Sequence, residues 1–182
     1  MLEDLKITMS EYPDDYDWLQ VKRRAIKTMG LNTVKTMPTT EWKHSILKAK
    51  HSPIRRLFFS FDIENLPYWV STELSRHHEG CEKYIKSQRN DRQKEYDRNK
   101  APQDAPVNMI FDFNAEGLMN VCEKRLCGVA TPEARYVITK IKELVLASFP
   151  EFDGLLDPFC QKYHTCIEMN PCGRLSALKN QD

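Results

Sequence analysis

From His51 to Ile63 the chain reads His-Ser-Pro-Ile-Arg-Arg-Leu-Phe-Phe-Ser-Phe-Asp-Ile, a turn that runs into a strand of alternating apolar side chains over Arg56 to Ile63. A strand of that kind must pair with another strand and lay its apolar face on a second layer, so it commits the chain to a packed sheet. A second strand is predicted at Val107 to Phe113. After Asn65-Leu66-Pro67, Tyr68 to His77 reads as a helix that delivers Arg76 and His77 at its end. Trp18, Leu19, Val21, Ala25, Ile26 and Met29 recur at helical spacing between Asp15 and Met29, and Gly30 follows as a usual residue just past a helix end. Thr39 or Thr40 can cap a helix through Trp42, Ile46 and Leu47. Asn114 to Cys127 and Pro132 to Phe149 read as further helices, the latter with Pro132 in its first turn. The fold class is α/β, in the α+β sense.

At 182 residues, with 41% hydrophobic and 29% charged, the chain suits one globular domain over residues 1–182, with a short cysteine-bearing tail from about 155. Its 27 Lys and Arg against 26 Asp and Glu leave a net charge of +1, which argues against a general binder of nucleic-acid polymers and makes any basic site local. No apolar run approaches the roughly 20 residues that cross a bilayer. The amino terminus Met-Leu-Glu-Asp-Leu-Lys lacks the layout of a signal peptide, so a cytosolic protein is expected, its six cysteines serving as thiols, metal ligands or redox groups.

One such local site stands out. Between Ser75 and Arg92 the chain packs Arg76, His77, His78, Ser87, Gln88, Arg89 and Arg92 into one stretch. Arginine offers a planar fork of donors suited to phosphate, and histidine and serine add hydrogen bonds, so a nucleotide or phosphorylated cofactor is the natural ligand. A basic cluster alone is otherwise a solvated face. The segment from Ser87 to Lys100 has almost no apolar side chains and reads as an active-site loop held by ligand or partner chains.

Ser-Pro, an apolar strand, a helix, Arg76-His77-His78 and then Ser87-Gln88-Arg89 resemble, in that order, the signature of the flavin-dependent thymidylate synthases. Asn114-Ala115-Glu116-Gly117-Leu118-Met119-Asn120-Val121-Cys122-Glu123-Lys124-Arg125 is similar to that family's helix in which two asparagines face the flavin and an arginine meets the pyrimidine. Arg98 followed by Pro102 is similar to the family's arginine on the substrate phosphate. The chain departs from the pattern too. His78 stands where a third arginine is usual, Ile85 and Glu73 replace a glutamate and a glutamine, the gap to Ser87 is one residue longer, and the stretch from Arg76 to Arg98 is shorter. The resemblance is to a compact, divergent member.

The resemblance implies a mixed or antiparallel sheet flanked by helices, FAD as cofactor, and a homotetramer with shared active sites. It also implies reductive methylation of deoxyuridylate (dUMP) to thymidylate with methylenetetrahydrofolate and NADPH. Arg125 becomes the catalytic residue, stabilising negative charge at N3 and O4 of the pyrimidine. Ser52, Arg76, His77, His78, Asn114, Glu116 and Asn120 match flavin contacts, and Glu73, Arg76, Ser87, Gln88, Arg89, Arg98 and Arg125 match nucleotide contacts. Glu73 also admits another pyrimidine nucleotide as substrate, since a carboxylate favours an exocyclic amino group. A non-catalytic flavin- or nucleotide-binding regulator is the reading from another class.

The carboxyl end carries Cys160, His164, Cys166 and Cys172. Four soft ligands suit tetrahedral zinc. Their spacing lacks a Cys-x2-Cys knuckle, however, so the expectation is a packed tail of free thiols without a metal.

Overall fold

The computed structural model describes residues 2–34, 36–89, 91–93, 97 and 99–179. Its centre is a four-stranded antiparallel sheet in the order β1-β2-β4-β3, built from β1 (Lys6–Glu11), β2 (Phe58–Pro67), β3 (Cys81–Ile85) and β4 (Pro106–Asn114). β2 and β4 are the long inner pair. Their register sets Phe59 opposite Phe113, Phe61 opposite Phe111 and Ile63 opposite Met109, which places all six side chains on one buried face. Burying an aromatic or aliphatic side chain of this size contributes roughly 1.5–3 kcal/mol, so this face is the main source of stability. The opposite face is more open, with Phe58, Ile110 and Tyr84 exposed.

The sheet's apolar face and the helices share one core. Helix α1 (Asp15–Thr28) buries Trp18 and Val21, and Asp14 opens it with a capping box, taking a hydrogen bond from the Asp17 amide at 2.9 Å. It ends before Gly30, whose φ of 78° is the left-handed conformation that glycine adopts without strain. Helix α2 (Thr40–Lys48) is capped by Thr39 and buries Ile46 and Leu47. Helix α4 (Ala115–Arg125) follows β4 directly and buries Leu118, Met119, Val121 and Cys122. Helix α5 (Pro132–Ser148), with Pro132 in its first turn, turns Val137, Ile138, Ile141 and Val145 inward at helical spacing. Two short helices follow among the described residues, α6 (Phe159–Tyr163) and α7 (Arg174–Lys179).

Several boundaries differ from the sequence reading. The strand begins at Phe58 rather than Arg56, because Ser52–Arg56 closes a 3-10 turn with Pro53 in its first positions. Helix α3 (Tyr68–Leu74) stops before Arg76 and His77. There the His77 amide turns back to the Leu74 carbonyl three residues earlier, which tightens the end of the helix and releases the chain toward β3. β1 and β3 were not expected. Both are sheet edges held by ladder bonds to an inner strand. Among the described residues no helix is long and apolar enough to cross a membrane.

Candidate functional site

The site is organised by α4. Asn114, the last residue of β4, caps the helix by accepting a hydrogen bond from the Gly117 amide at 2.8 Å. Its own amide donates to the Gly80 carbonyl at 2.8 Å. Gly80 and Gly117 then meet backbone to backbone: a Cβ on Gly117 would lie 2.2 Å from the Gly80 carbonyl oxygen. At the other end of the helix, His77 meets Arg125. The segment from His77 to Gly80 therefore runs along α4 from its last turn back to its first.

A polar cleft of about 460 Å3 opens beside the first turns of α4, lined by Arg55, Glu79, Gly80, Asn114, Glu116 and Asn120. Arg55 Nε donates to Glu116 Oε2 at 2.5 Å across its mouth. Asn120 accepts from Lys50 Nζ at 2.8 Å, and the same ammonium reaches Glu123 at 2.9 Å. Glu123 is buried, which by itself raises its carboxyl, but hydrogen bonds and charge from Lys162 and Lys50 outweigh that and hold it below the ordinary carboxylate range. The Tyr163 hydroxyl adds a hydrogen bond to Glu123 at 3.2 Å.

Arg125 sits in a second network at the far end of α4. Its Nη1 donates to Glu73 Oε1 at 2.5 Å, its Nη2 to the Glu73 carbonyl at 3.2 Å and its Nε to His77 Nε2 at 2.6 Å. The other Glu73 oxygen accepts from the Thr131 hydroxyl at 2.5 Å. Because an arginine has only protons to give, His77 accepts at Nε2 and carries its own proton on Nδ1. Burial, then the charges of Arg125, Lys83, His78 and Lys124, lower the His77 pKa to about 4. The ring is therefore a neutral support for the guanidinium near neutral pH. Lys83 Nζ donates to the His77 carbonyl and holds the same turn from β3.

The residues named from the sequence thus fall into two connected groups. Asn114, Glu116 and Asn120 share the cleft, while Glu73, His77 and Arg125 share the network. Arg76 and His78 flank His77 with exposed side chains. Ser52 is exposed at the start of the 3-10 turn, ahead of Arg55. Ser87 and Gln88 follow β3 and are half-buried, and exposed Arg89 pairs with Asp91 at 2.9 Å. Arg98 lies outside the described residues. The sequence reading missed Lys50, Arg55 and Thr131. Of these only Arg55 carried a local signal, as a basic residue directly after the Ser-Pro turn.

His164 does not join the tail cysteines. It is exposed, with φ of 52° at the end of α6, and Cys127 takes the place the sequence reading gave it: Cys127, Cys160, Cys166 and Cys172 line one pocket of about 170 Å3. Burial pushes the Cys160 thiol up, Arg174 opposes this, and Cys127, Cys172 and Cys166 add to the rise. Among the described residues no group of three or more His, Cys, Asp or Glu side chains is set as a ready metal site.

An antiparallel sheet with a polar cleft and a held arginine at opposite ends of one helix defines the site of this α+β domain. Residues 79–151 match the family model described as thymidylate synthase complementing protein, a stretch that takes in β3, β4, α4 and most of α5. That match supports the flavin-dependent thymidylate synthase family for this chain, in agreement with the antiparallel sheet and its helices. No curated protein matches the chain.

Proposed function

We propose that the protein catalyses reductive methylation of dUMP to thymidylate, with FAD as cofactor and methylenetetrahydrofolate and NADPH as co-substrates. The observation that carries the reading is the fixed guanidinium of Arg125, held from two sides by Glu73 and His77 at the end of the helix whose first turns line the cleft. Methylating C5 of a uracil ring requires electron density at C5, and a preorganised cation at N3 and O4 draws the ring toward that form. Arg125 is suited to this because its position is set before substrate arrives. The neutral His77 ring accepts from the guanidinium without adding a positive charge of its own.

The cleft suits a flat polar ligand. Arg55 supplies a donor at its mouth, the Asn120 carboxamide stands in its wall, and the Gly80 backbone approaches without a side chain in the way. Flavin, when bound, supplies the hydride chemistry, and these residues would orient its ring. Arg76 and His78, exposed beside His77, are free to meet phosphate oxygens. Sites shared between copies of the chain, and hence a homotetramer, accord with how open the cleft and the neighbouring sheet face are in one copy.

Glu73 bears on the alternative of a different pyrimidine. Both of its carboxylate oxygens are already engaged, one by Arg125 and one by Thr131, so the structure favours a role in positioning Arg125 over selecting an exocyclic amino group. The test offers dUMP and deoxycytidylate side by side to flavin-loaded protein with folate and reductant. Methylation of dUMP alone is expected. Methylation of deoxycytidylate would return Glu73 to the substrate, and flavin binding without either product would identify a regulator.

A further inference from the structure

Lys50 stands where a helix end usually has glycine. Helix α2 closes with two crossed backbone bonds, from the Lys50 amide to the Leu47 carbonyl at 2.9 Å and from the His51 amide to the Ile46 carbonyl at 3.3 Å. That closure puts the residue between them in the left-handed region, and Lys50 has φ of 47°. A side chain there strains the backbone, and such strain is kept where the side chain has a task elsewhere.

The task lies on α4. Lys50 Nζ donates to Asn120 Oδ1 at 2.8 Å and to Glu123 Oε1 at 2.9 Å, two residues one helical turn apart. An ammonium has only protons to give, so the Asn120 atom that faces it is the carboxamide oxygen, and the nitrogen is turned away. Among the described residues nothing accepts from that nitrogen, and it is not one of the sealed, unpartnered polar atoms of the interior, so it is open toward the cleft that Asn120 lines. Asn114 repeats the arrangement: its Oδ1 accepts from the Gly117 amide and its nitrogen is the group left over. Both carboxamides therefore offer the cleft donors.

We propose that Lys50 is a positioning residue of the cleft, turning the Asn120 carboxamide so that its NH2 meets the ligand and selecting a ring edge that carries acceptors, carbonyl oxygen or unprotonated ring nitrogen. Glu123 holds the ammonium in place from behind. Its other partners, Lys162 at 2.6 Å and the Tyr163 hydroxyl at 3.2 Å, still serve the carboxylate if Lys50 is replaced, so Lys50→Met leaves no buried charge unpaired. The inference rests on FAD as the ligand of this cleft, and it does not depend on which pyrimidine is methylated.

The experiment titrates FAD into flavin-free full-length protein and reads the quenching of flavin fluorescence. Lys50→Met should bind about 3-fold to 10-fold more weakly than the parent, the worth of one oriented hydrogen bond. In an Asn120→Ala background the same substitution should change affinity by less than about 2-fold, because Lys50 acts through Asn120. Asn120→Asp keeps a partner for Lys50 but sets an acceptor where the NH2 stood, and it should bind FAD no better than Asn120→Ala. Equal losses in the two backgrounds overturn the proposal, since a merely structural lysine would produce them, and so does parental affinity in Lys50→Met or in Asn120→Asp. If Lys50→Met does not fold, Asn120→Asp against Asn120→Ala decides. FAD binding that follows this pattern without turnover of dUMP refutes the proposed reaction alone; turnover with Lys50→Met binding FAD like the parent refutes this inference alone. A parent that binds no FAD refutes both.

Discussion

Replacing Arg125 with alanine tests whether the guanidinium is a built part of the fold as well as of the site. Its side chain and that of Glu73 keep only 18% and 15% of their exposure, so the pair lies between a surface bridge, worth about 0–1 kcal/mol, and a fully buried one, whose breaking costs about 3–5 kcal/mol. Arg125→Ala strips Glu73 Oε1 of its ionic partner while Thr131 still serves Oε2. A loss of about 2 kcal/mol is expected, or a Tm lower by about 4–8 °C in a chain of this size. Glu73→Ala should cost a similar amount by leaving the guanidinium half-buried and unpaired. Removing both should cost little more than removing one, giving a coupling energy of about 1.5 kcal/mol in a double-mutant cycle by urea unfolding. Turnover should fall on the order of 100-fold to 1000-fold in Arg125→Ala, the loss typical of one preorganised donor. An exposed helix arginine would instead change stability by about 0.5 kcal/mol or less. A coupling energy near zero, or normal turnover in folded Arg125→Ala, would refute the reasoning.

Three further outcomes are expected. His77 has a folded pKa near 4, below its unfolded value of about 6.5, so the unfolded chain binds the extra proton between those values. Its contribution to stability should be complete above about pH 6.5, decline as pH falls toward 4 and level off below, which unfolding of the parent and His77→Gln across that window will show. Gly117→Ala should destabilise by about 1–3 kcal/mol or fail to fold, because its methyl meets the Gly80 backbone rather than a movable side chain, and thermal unfolding will measure it. Asn120→Ala should weaken flavin retention while leaving the sheet intact, as read by flavin absorbance after gel filtration; undiminished retention would remove Asn120 from the cofactor site.

The elements with their own internal signal were legible in the sequence. Helices α1, α2, α4 and α5 each carry a repeating apolar face and a recognisable start or stop, and β2 carries its alternation. β1 and β3 do not, because an edge strand is specified by the neighbour it pairs with. Cys81, Glu82, Lys83, Tyr84 and Ile85 read as part of a polar cluster until the register sets Cys81 against Phe113 and Ile85 against Met109. The site divides in the same way. Asn114, Glu116 and Asn120 stand within one short stretch at the start of one helix, and the family resemblance of that stretch named them together. The convergence of Glu73, His77 and Thr131 on Arg125 joins a helix end, a turn and the cap of α5, and no local spacing encodes it. That Cys127 lines the tail pocket was missed for the same reason: spacing groups neighbours in sequence, and this cysteine reaches the tail only through the fold.

The contact between Gly80 and Gly117 also limits how this chain can diversify. Neither position can gain a side chain, and neither can be relieved by its neighbour, since both are already as small as a residue can be. Cys81 is in turn pinned opposite Phe113, so the path from Gly80 into β3 has a fixed register. An inserted residue between His77 and Ser87 can then be absorbed only in the short turn through His78 and Glu79, or beyond Ile85 where the strand ends. Variation in length should collect at those two places across related chains, while positions 80 and 117 stay glycine.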